Sequence, residues 1–499
     1  MGKQGDYILI NQEDSVVVAT QGLKKGEKIY VLDKTVCLND DIPAGHKIAI
    51  KEIKKGEKII KYGFPFGVAS EDISVGSWVH THNVKANHEN QIYQYNPTCY
   101  STFQPEENLV FQGYSREDGT AGIRNQVFII PTVSCGNGPV NKIAEMANIM
   151  FPKNENFDGF LPLCHHYGCS QTGKDLEYTQ KILAGLAKNP NAGAVLIVSL
   201  GCEINSLDVF TPHLGEFNPD RIKFLILQEC EDEFAVGLNL CKQLYGYATK
   251  FKREPQPIAK LAIGVNCGGS DGLSGITANP LVGEVSNRIT AQGGTVVMTE
   301  VPEMFGAEQI LMDRAENQKV FEKIVTLIND YKDYFNRYGE EAEDNPTQGN
   351  QAGGITTLAE KSLGCILKGG QATVTDVLKY GERIRKPGLV LLEGPGNDLV
   401  GVTAQIAAGC NLIIFTTGRG TPAGFACPTL RISTNSQLYN KKKHWNDFNA
   451  GSLLEGRAMS DSAKELLDLV IKVANGQVKT KTEINNYFEI GILRDGVTL

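Results

Sequence analysis

From Gly113 onward the chain alternates apolar runs of strand length with amphipathic stretches of helix length. "QVFIIPTV" precedes "PVNKIAEMANIMF", "FDGFLPL" precedes "DLEYTQKILAGLAKN", "RIKFLILQ" precedes "DEFAVGLNLCKQLYGYATKF", and "AGAVLIVSL" and "KLAIGVN" add further runs. Runs that are apolar at every position belong to strands covered on both faces, and parallel strands joined by helices provide that cover. After a long helical region at about 303–340 the texture resumes with "GLVLLEGP" and "NLIIFTTG", and "DSAKELLDLVIKVANG" supplies a late helix. The expectation is a large α/β region on a mainly parallel sheet.

The first 95 residues read differently. "YILI", "SVVVAT", "KIYVL", "HKIAI" and "SWVHTHN" are short β segments separated by Gly, Pro, Asn and Asp turns, which predicts a small β-rich domain at 1–95. "NPTCYSTFQPEENLVFQG", 96–113, has no periodicity and reads as a linker. Its "ENLVFQG" resembles an engineered protease-cleavage sequence but carries Val110 where such sequences have Tyr, so it is taken as native. Two α/β domains are expected beyond it, 114–345 and 346–499, divided near the polar "EEAEDNPTQGNQAGG".

Charge narrows the partners. With 49 Lys+Arg against 57 Asp+Glu the formal charge is -8, and no basic tract stands ready to neutralise a phosphate backbone, so nucleic acid is not an expected partner. No cationic segment leads into an apolar core and no long uncharged apolar run occurs, so a cytoplasmic protein without a membrane span is expected. The 12 cysteines are spread over a long chain, which under reducing conditions favours thiols and metal ligands over disulfides.

Four of those cysteines fall just past strands: Cys135 in "VFIIPTVSCGNG", Cys169 in "FLPLCHHYGCSQ", Cys202 in "VLIVSLGCEIN" and Cys267 in "LAIGVNCGGSDG". Ligands of open parallel sheets bind outside the carboxyl ends of the strands, so residues there converge from distant parts of a sequence. As a set the four thiols point to a thiolate site for iron, zinc or an iron–sulfur centre, and three ligands with an open position would equally suit a mononuclear catalytic metal. Cys164 reads as a core thiol. His165 is a ligand, a proton carrier or a satisfied polar group. His80 and His82, two apart in "VHTHN", share one face if that stretch is a strand, and His46 follows a Pro-Ala-Gly turn that could bring it to them.

"CGGSDGLSGITANP" contains Ser270 and Asp271 in a loop whose amides and hydroxyls could grip a carboxylate or a polyhydroxy chain. In "TTGRGTPAGF", Arg419 between two glycines could pair bidentately with a carboxylate. Neither loop has the Walker or dinucleotide spacing, so neither a nucleotide nor NAD is expected. Several such loops at one sheet edge, "EGPGNDLVG" among them, predict a cleft for a small polar substrate.

Taken in order, "VHTHN", "GYSREDGTAGIRN", "PTVSCGNG", "HHYGCSQTG", "SLGCEIN", "CGGSDGLSGITANP", "TEVPEMFGAEQ", "NQAGGITTLAEKSLGC" and "TTGRGTPAGF" resemble the altronate dehydratase and galactarate dehydratase family along essentially the whole chain. The resemblance implies an N-terminal domain of the SAF type joined to a catalytic region. It implies loss of water from D-altronate to give 2-dehydro-3-deoxy-D-gluconate in galacturonate breakdown, with dependence on Fe2+; Mn2+ or an iron–sulfur cluster are the alternatives. On this basis Cys135, Cys169 and Cys202 hold or border the metal, with Cys267 as a fourth. His46, His80, His82 and His165 are candidates for ligation or proton transfer, and Arg124, Asn125, Ser270, Asp271 and Arg419 for binding the acid and its hydroxyls. The expected partners are a small sugar acid and a second copy of the chain in a dimer. Galactarate dehydration and sulfolactate sulfo-lyase activity are alternatives within the family, and a sugar-acid-binding regulatory protein is the alternative outside enzymes.

Overall fold

The computed structural model describes residues 2–86, 92–98, 103 and 108–496; the expected linker lies partly outside the described residues, at 99–102 and 104–107. Where the linker was expected to end, Val110–Ser115 is a strand, paired antiparallel with Arg253–Pro257 and Ala121–Gly122.

The N-terminal unit consists of short antiparallel strands. Five of them, Gly2–Gln4, Tyr7–Leu9, Val16–Ala19, Lys47–Ala49 and Trp78–Val79, form one sheet in that order. Val84–Lys85, Phe64–Ala69 and Lys58–Lys61 form another. "VHTHN" departs from the strand expected of it: the strand stops at Val79 and 81–83 is a turn. Asn83 closes that turn, its Oδ1 accepting from the His80 amide at 3.0 Å and its Nδ2 donating to the Trp78 carbonyl at 2.8 Å. Asn side chains compete in this way with the ladder bonds of a strand.

Two parallel sheets follow. The first has four strands, β1 (Gln126–Pro131), β2 (Phe160–Pro162), β3 (Ala192–Ser199) and β4 (Ile222–Ile226), in the order β2-β1-β3-β4. All eight residues of β3 are buried, as an all-apolar run requires. Phe128, Ile130, Val195 and Ile197 face α2 (Gly173–Ala187), whereas Val127, Ile129, Ala194 and Leu196 face α1 (Asn137–Met150) and α4 (Glu233–Ala248), with α3 (Leu207–Leu214) lying between β3 and β4 in sequence. Each such branched or aromatic side chain fully buried contributes about 1.5–3 kcal/mol.

The second sheet has seven strands: β5 (Ala262–Cys267), β6 (Thr295–Met298), β7 (Val374–Leu378), β8 (Gly388–Leu392), β9 (Leu412–Thr417), β10 (Thr429–Ser433) and β11 (Phe448–Asn449). Their order is β7-β8-β6-β5-β9-β10-β11, every pair parallel. The polar stretch 339–354, where the sequence suggested a division, connects β6 to β7 within this one sheet. The two sheets share a core through α2 and the helix after β8, here α6 (Asp398–Ala408). The helices meet at Gly185, where a Cβ would lie 2.6 Å from the Ala407 carbonyl oxygen.

The N-terminal unit docks on the seven-stranded sheet through buried charge. Glu360, on α5 (Leu358–Cys365), accepts from Lys47 Nζ at 2.9 Å and Lys61 Nζ at 2.7 Å, and all three side chains are sealed from solvent. Burial alone would push the Glu360 carboxyl up, but the two ammonium groups outweigh it and hold it at about 2. Breaking a buried pair leaves an uncompensated charge. Glu360→Gln is therefore expected to cost about 3–5 kcal/mol in denaturant unfolding, whereas replacing all three residues by apolar ones of similar volume should recover most of that loss.

Candidate active site

The carboxyl edge of the seven-stranded sheet gathers the polar loops. Strand order reverses between β5 and β9, which places a crevice there, and crevices at such switch points are where open α/β sheets bind ligands. The loops after these strands are tied backbone to backbone: Gly268 N to Thr416 O at 3.1 Å, Gly418 N to Gly269 O at 3.1 Å and Arg419 N to Gly269 O at 2.8 Å. A cleft of about 720 Å³ opens beside them, lined by Gly45, Asp271, Gly353, Arg419, Asn435 and Lys441 among others.

Asp271 is the fixed group of this cleft. Its carboxylate accepts from Thr434 Oγ1 at 2.9 Å, Ser274 Oγ at 3.0 Å and Asn435 Nδ2 at 3.2 Å. Burial raises its pKa in spite of these donors. Ser270 Oγ is buried with no partner, and Arg419 is exposed with no ion pair among the described residues. The N-terminal unit forms the opposite wall. Gly45 has φ +82, and a Cβ there would lie 3.0 Å from the Gly353 carbonyl oxygen, so glycine is needed for both conformation and approach.

Next to Gly45, the histidines cluster on Trp78. His46 Nδ1 accepts from Trp78 Nε1 at 3.1 Å, leaving its Nε2 to face the Ala352 carbonyl at 3.4 Å. The His80 ring stacks on Trp78 at 5.4 Å and lies 4.9 Å from that of His46, while His82 packs on Trp78 at 5.2 Å. His80 Nδ1 meets Thr356 Oγ1 at 3.0 Å, and its Nε2 has no hydrogen-bond partner among the described residues. Burial, then repulsion from Lys47 and His46, lowers His80 to about 4, and burial also lowers His46. Both imidazoles are neutral at neutral pH.

A second cluster lies behind the β5 loop. Cys267 Sγ, Cys365 Sγ and Glu303 Oε2 form a buried triangle with sides of 3.4, 3.3 and 3.0 Å. It is the one group of His, Cys, Asp or Glu donors among the described residues whose ligating atoms all lie within 4.8 Å of one another. Lys368 donates to Cys267 Sγ at 2.9 Å and Lys361 to Glu303 Oε1 at 2.7 Å. The hydrogen bond from Cys365 and the nearby ammonium groups lower the Cys267 pKa against burial, while Cys365 is raised. Glu303 is pushed up by burial but held at about 2 by Lys361 and Lys368; Glu300 is raised by burial and by Glu303, and Asp398 is raised to about 6 by the same two causes. Glu300 adopts the left-handed conformation, φ 64°, and its Oε1 is buried without a partner, as are Asn266 Nδ2 and Thr299 Oγ1. Backbone strain and orphaned polar atoms of this kind concentrate at functional sites. Two thiols and a carboxylate on one triangle, beside an unpartnered carboxylate oxygen, fit a thiophilic divalent metal.

The other cysteines singled out from the sequence occupy the carboxyl edge of the four-stranded sheet. Cys135, Cys169 and Cys202 follow the neighbouring strands β1, β2 and β3 and are all exposed. The loops bearing them are anchored by Glu203, which accepts from Thr132 Oγ1 at 2.6 Å and Ser199 Oγ at 2.5 Å, and by Gly168, where a Cβ would lie 2.0 Å from the Thr132 carbonyl oxygen. Cys267 ends a strand of the other sheet and stands apart from these three in the fold. His165, buried at the start of the loop that carries Cys169, has both ring nitrogens engaged, Nε2 with the Pro131 carbonyl at 2.7 Å and Nδ1 with the Tyr167 amide at 3.1 Å. Burial lowers it to about 4.

Arg124 and Asn125 are not brought to the cleft. Arg124 makes a bidentate pair with Glu483 at 2.7 and 2.9 Å, and Asn125 bonds the carbonyls of Asn156 and Ala248. The residues missed in the sequence are Glu300, Glu303, Lys361, Cys365, Lys368 and Asp398. A signal was present: Lys361, Cys365 and Lys368 are spaced i, i+4, i+7, one face of a helix.

Comparison with known proteins covers the whole architecture. Residues 5–87 match the altronate/galactarate dehydratase SAF domain, 113–249 the D-galactarate dehydratase/altronate hydrolase second domain, and 258–498 the D-galactarate/altronate dehydratase C-terminal domain. The chain is 48% identical to an altronate dehydratase of Bacillus subtilis (strain 168) over 495 residues, 99% of each chain. It is 46% identical to an altronate dehydratase of Escherichia coli (strain K12) over 99% of this chain and 100% of that one. A galactarate dehydratase (L-threo-forming) of the same strain is 31% identical over 95% of this chain and 94% of that one.

His80 and His165 make stability depend on pH with a definite sign. Each has a folded value of about 4 against an ordinary 6.5, so between these values the unfolded chain binds more protons. Their contribution is present above about pH 6.5 and is lost as pH falls through about 4. Urea unfolding of wild type should weaken across that window, and His165→Gln should flatten the slope.

Proposed function

Because the chain belongs to the altronate/galactarate dehydratase family, we propose that it removes water from D-altronate to give 2-dehydro-3-deoxy-D-gluconate, as a step in hexuronate breakdown. The observation that carries this reading is the full-length match at 48% and 46% identity to two altronate dehydratases, against 31% to the galactarate dehydratase. The chemistry at the crevice is in keeping with it. Dehydration removes the proton at C2, beside a carboxylate, and expels the C3 hydroxyl; the enol so formed becomes the 2-keto-3-deoxy acid. The C2 proton is weakly acidic, so the charge that develops must meet preorganised donors.

In this reading Arg419 receives the substrate carboxylate, and Asp271, Thr434 and Asn435 orient the hydroxyls. His80 takes the C2 proton on Nε2, with Thr356 fixing the ring through Nδ1. Asp398, which packs against Gly268 and sits near a neutral working pH, protonates the departing hydroxyl. Cys267, Glu303 and Cys365 would hold a ferrous ion, or manganese in its place, which when bound supplies Lewis-acid polarisation of oxygen. A second reading of the metal rests on Cys135, Cys169 and Cys202, exposed in the loops after three adjacent strands and of the ligand type that holds an iron–sulfur centre. The protein is further read as a cytoplasmic homodimer; no helix among the described residues is long and apolar enough to cross a membrane.

The reading is tested with anaerobically purified protein loaded with ferrous iron and offered D-altronate, galactarate and sulfolactate. A 2-keto acid from altronate alone is expected; sulfite from sulfolactate, or comparable kcat/KM on galactarate, would move the assignment within the family. Tight binding of altronate without product would instead favour a regulatory protein. Chelation should abolish turnover and ferrous iron restore it, and Cys267→Ser against Cys169→Ser, followed by iron content, separates the two metal readings. Asp398→Asn should lower kcat by about 10²–10⁴-fold, whereas Arg419→Gln should raise KM by about 10–100-fold, the loss of one charged hydrogen bond.

A further inference from the structure

A cavity of about 570 Å³ lies at the amino-terminal edge of the four-stranded sheet, away from the carboxyl edges that bear the cysteines and the substrate cleft. Four cationic side chains line it: Arg116 from the turn before β1, Lys188 at the end of α2, Arg221 at the start of β4, and Arg383 from the β7–β8 connection of the other sheet. None forms an ion pair with a carboxylate among the described residues. Backbone carbonyls hold them instead. Arg221 Nη2 donates to Ala187 O at 3.0 Å and Ala192 O at 2.9 Å, and Arg383 Nη1 to Gly185 O at 3.2 Å. Arg116 Nε donates to Pro190 O at 2.7 Å, its Nη1 to Asn125 Oδ1 and its Nη2 to Arg124 O.

This arrangement fixes the guanidinium groups but spends only part of their donors. Nε and Nη1 of Arg221, Nε and Nη2 of Arg383, and Nζ of Lys188 have no hydrogen-bond partner among the described residues. The carboxylates at the cavity, Glu117, Asp118 and Glu216, are all exposed at its rim. Two of them are already engaged, Glu117 with Tyr247 OH and Asn218 Nδ2, and Asp118 with Thr120. Like charges converging at a partly desolvated site are unfavourable unless an anion neutralises them. The crowding shows in the titration: burial and then Arg221 lower Arg116 to about 9, and burial, Arg383 and Arg221 lower Lys188, even though Asp118 at the rim pulls both the other way.

We propose that this cavity is a binding site for a phosphoryl group, free or as the ester of a small metabolite, and that filling it clamps the second domain to the seven-stranded sheet. Guanidinium forks with a lysine beside them match a tetrahedral oxyanion. The cavity exceeds the volume of one phosphate, and Phe217, Tyr247 and Phe251 give it walls for the remainder of an ester. Arg383 supplies the coupling, because it alone of the four comes from the other sheet.

The test uses the full-length protein, with calorimetric titration and thermal unfolding in inorganic phosphate or glucose 6-phosphate against sodium chloride at matched ionic strength. Saturable binding and a raised Tm specific to the phosphoryl probes are expected, with Kd at least tenfold weaker in Lys188→Gln and in Arg383→Gln. Lys188→Gln should be no less stable than wild type in chloride, since Lys188 bonds nothing there, and this separates anion binding from a structural role. Equal affinity for the two probes identifies free phosphate as the ligand, and tenfold tighter binding of the ester identifies a phosphorylated metabolite. A Tm rise matched by chloride, or one that both variants retain in full, overturns the proposal.

Discussion

The buried carboxylate of Glu360 is the interaction on which the arrangement of the N-terminal unit depends. It receives Lys47 and Lys61 from two different sheets of that unit, and its neighbour Lys361 turns toward Glu303. One eight-residue helix therefore holds the histidine-bearing domain with one charged residue and orders the thiol cluster with the next. Glu360 is the carboxylate that both buried lysines of the N-terminal unit reach, and the chain 352–356 that meets His46 and His80 leads directly into the same helix.

Around β5 the physical theme is the separation of protonation states. Around this loop, Glu303 is held at about 2 by ammonium groups while burial and Glu303 raise Glu300, and the Cys267 thiol is lowered where that of Cys365 is raised. Groups of the same type driven apart in this way supply an acid and a base side by side. The same loops hold Asp271 through Thr434, Ser274, Asn435 and the Leu273 amide, so the polar cleft and the thiol cluster are two faces of one short turn.

Much of the architecture was legible in the sequence because its cause is local. Runs such as "AGAVLIVSL" are apolar throughout, and only a strand covered on both faces can use them; β3 is buried at every position. The strand-end position of Cys267 and the Gly-rich loop carrying Ser270 and Asp271 were readable for the same reason. The turn at 81–83 was misread as strand because a single Asn side chain, and no periodicity, decides it. Arg124 looked like a substrate ligand because its partner, Glu483, is 359 residues away, and a pairing that remote leaves no local mark. Glu300, Glu303 and Cys365 were missed because their significance lies in convergence from β6 and α5, which only the folded sheet creates.

The Arg124 pair has a further consequence for synthesis. Arg124 is a buried guanidinium at the foot of the second domain, and its counter-ion lies on the segment that crosses back over that domain after the long helix Met459–Ala474. Asp175 is committed in the same way, accepting from the amides of Asp495 and Gly496. As the chain leaves the ribosome, the four-stranded sheet can assemble long before these partners exist. The carboxylate that Arg124 is buried against is thus supplied only after residue 483 has been made, and the amides that Asp175 accepts only after residues 495 and 496.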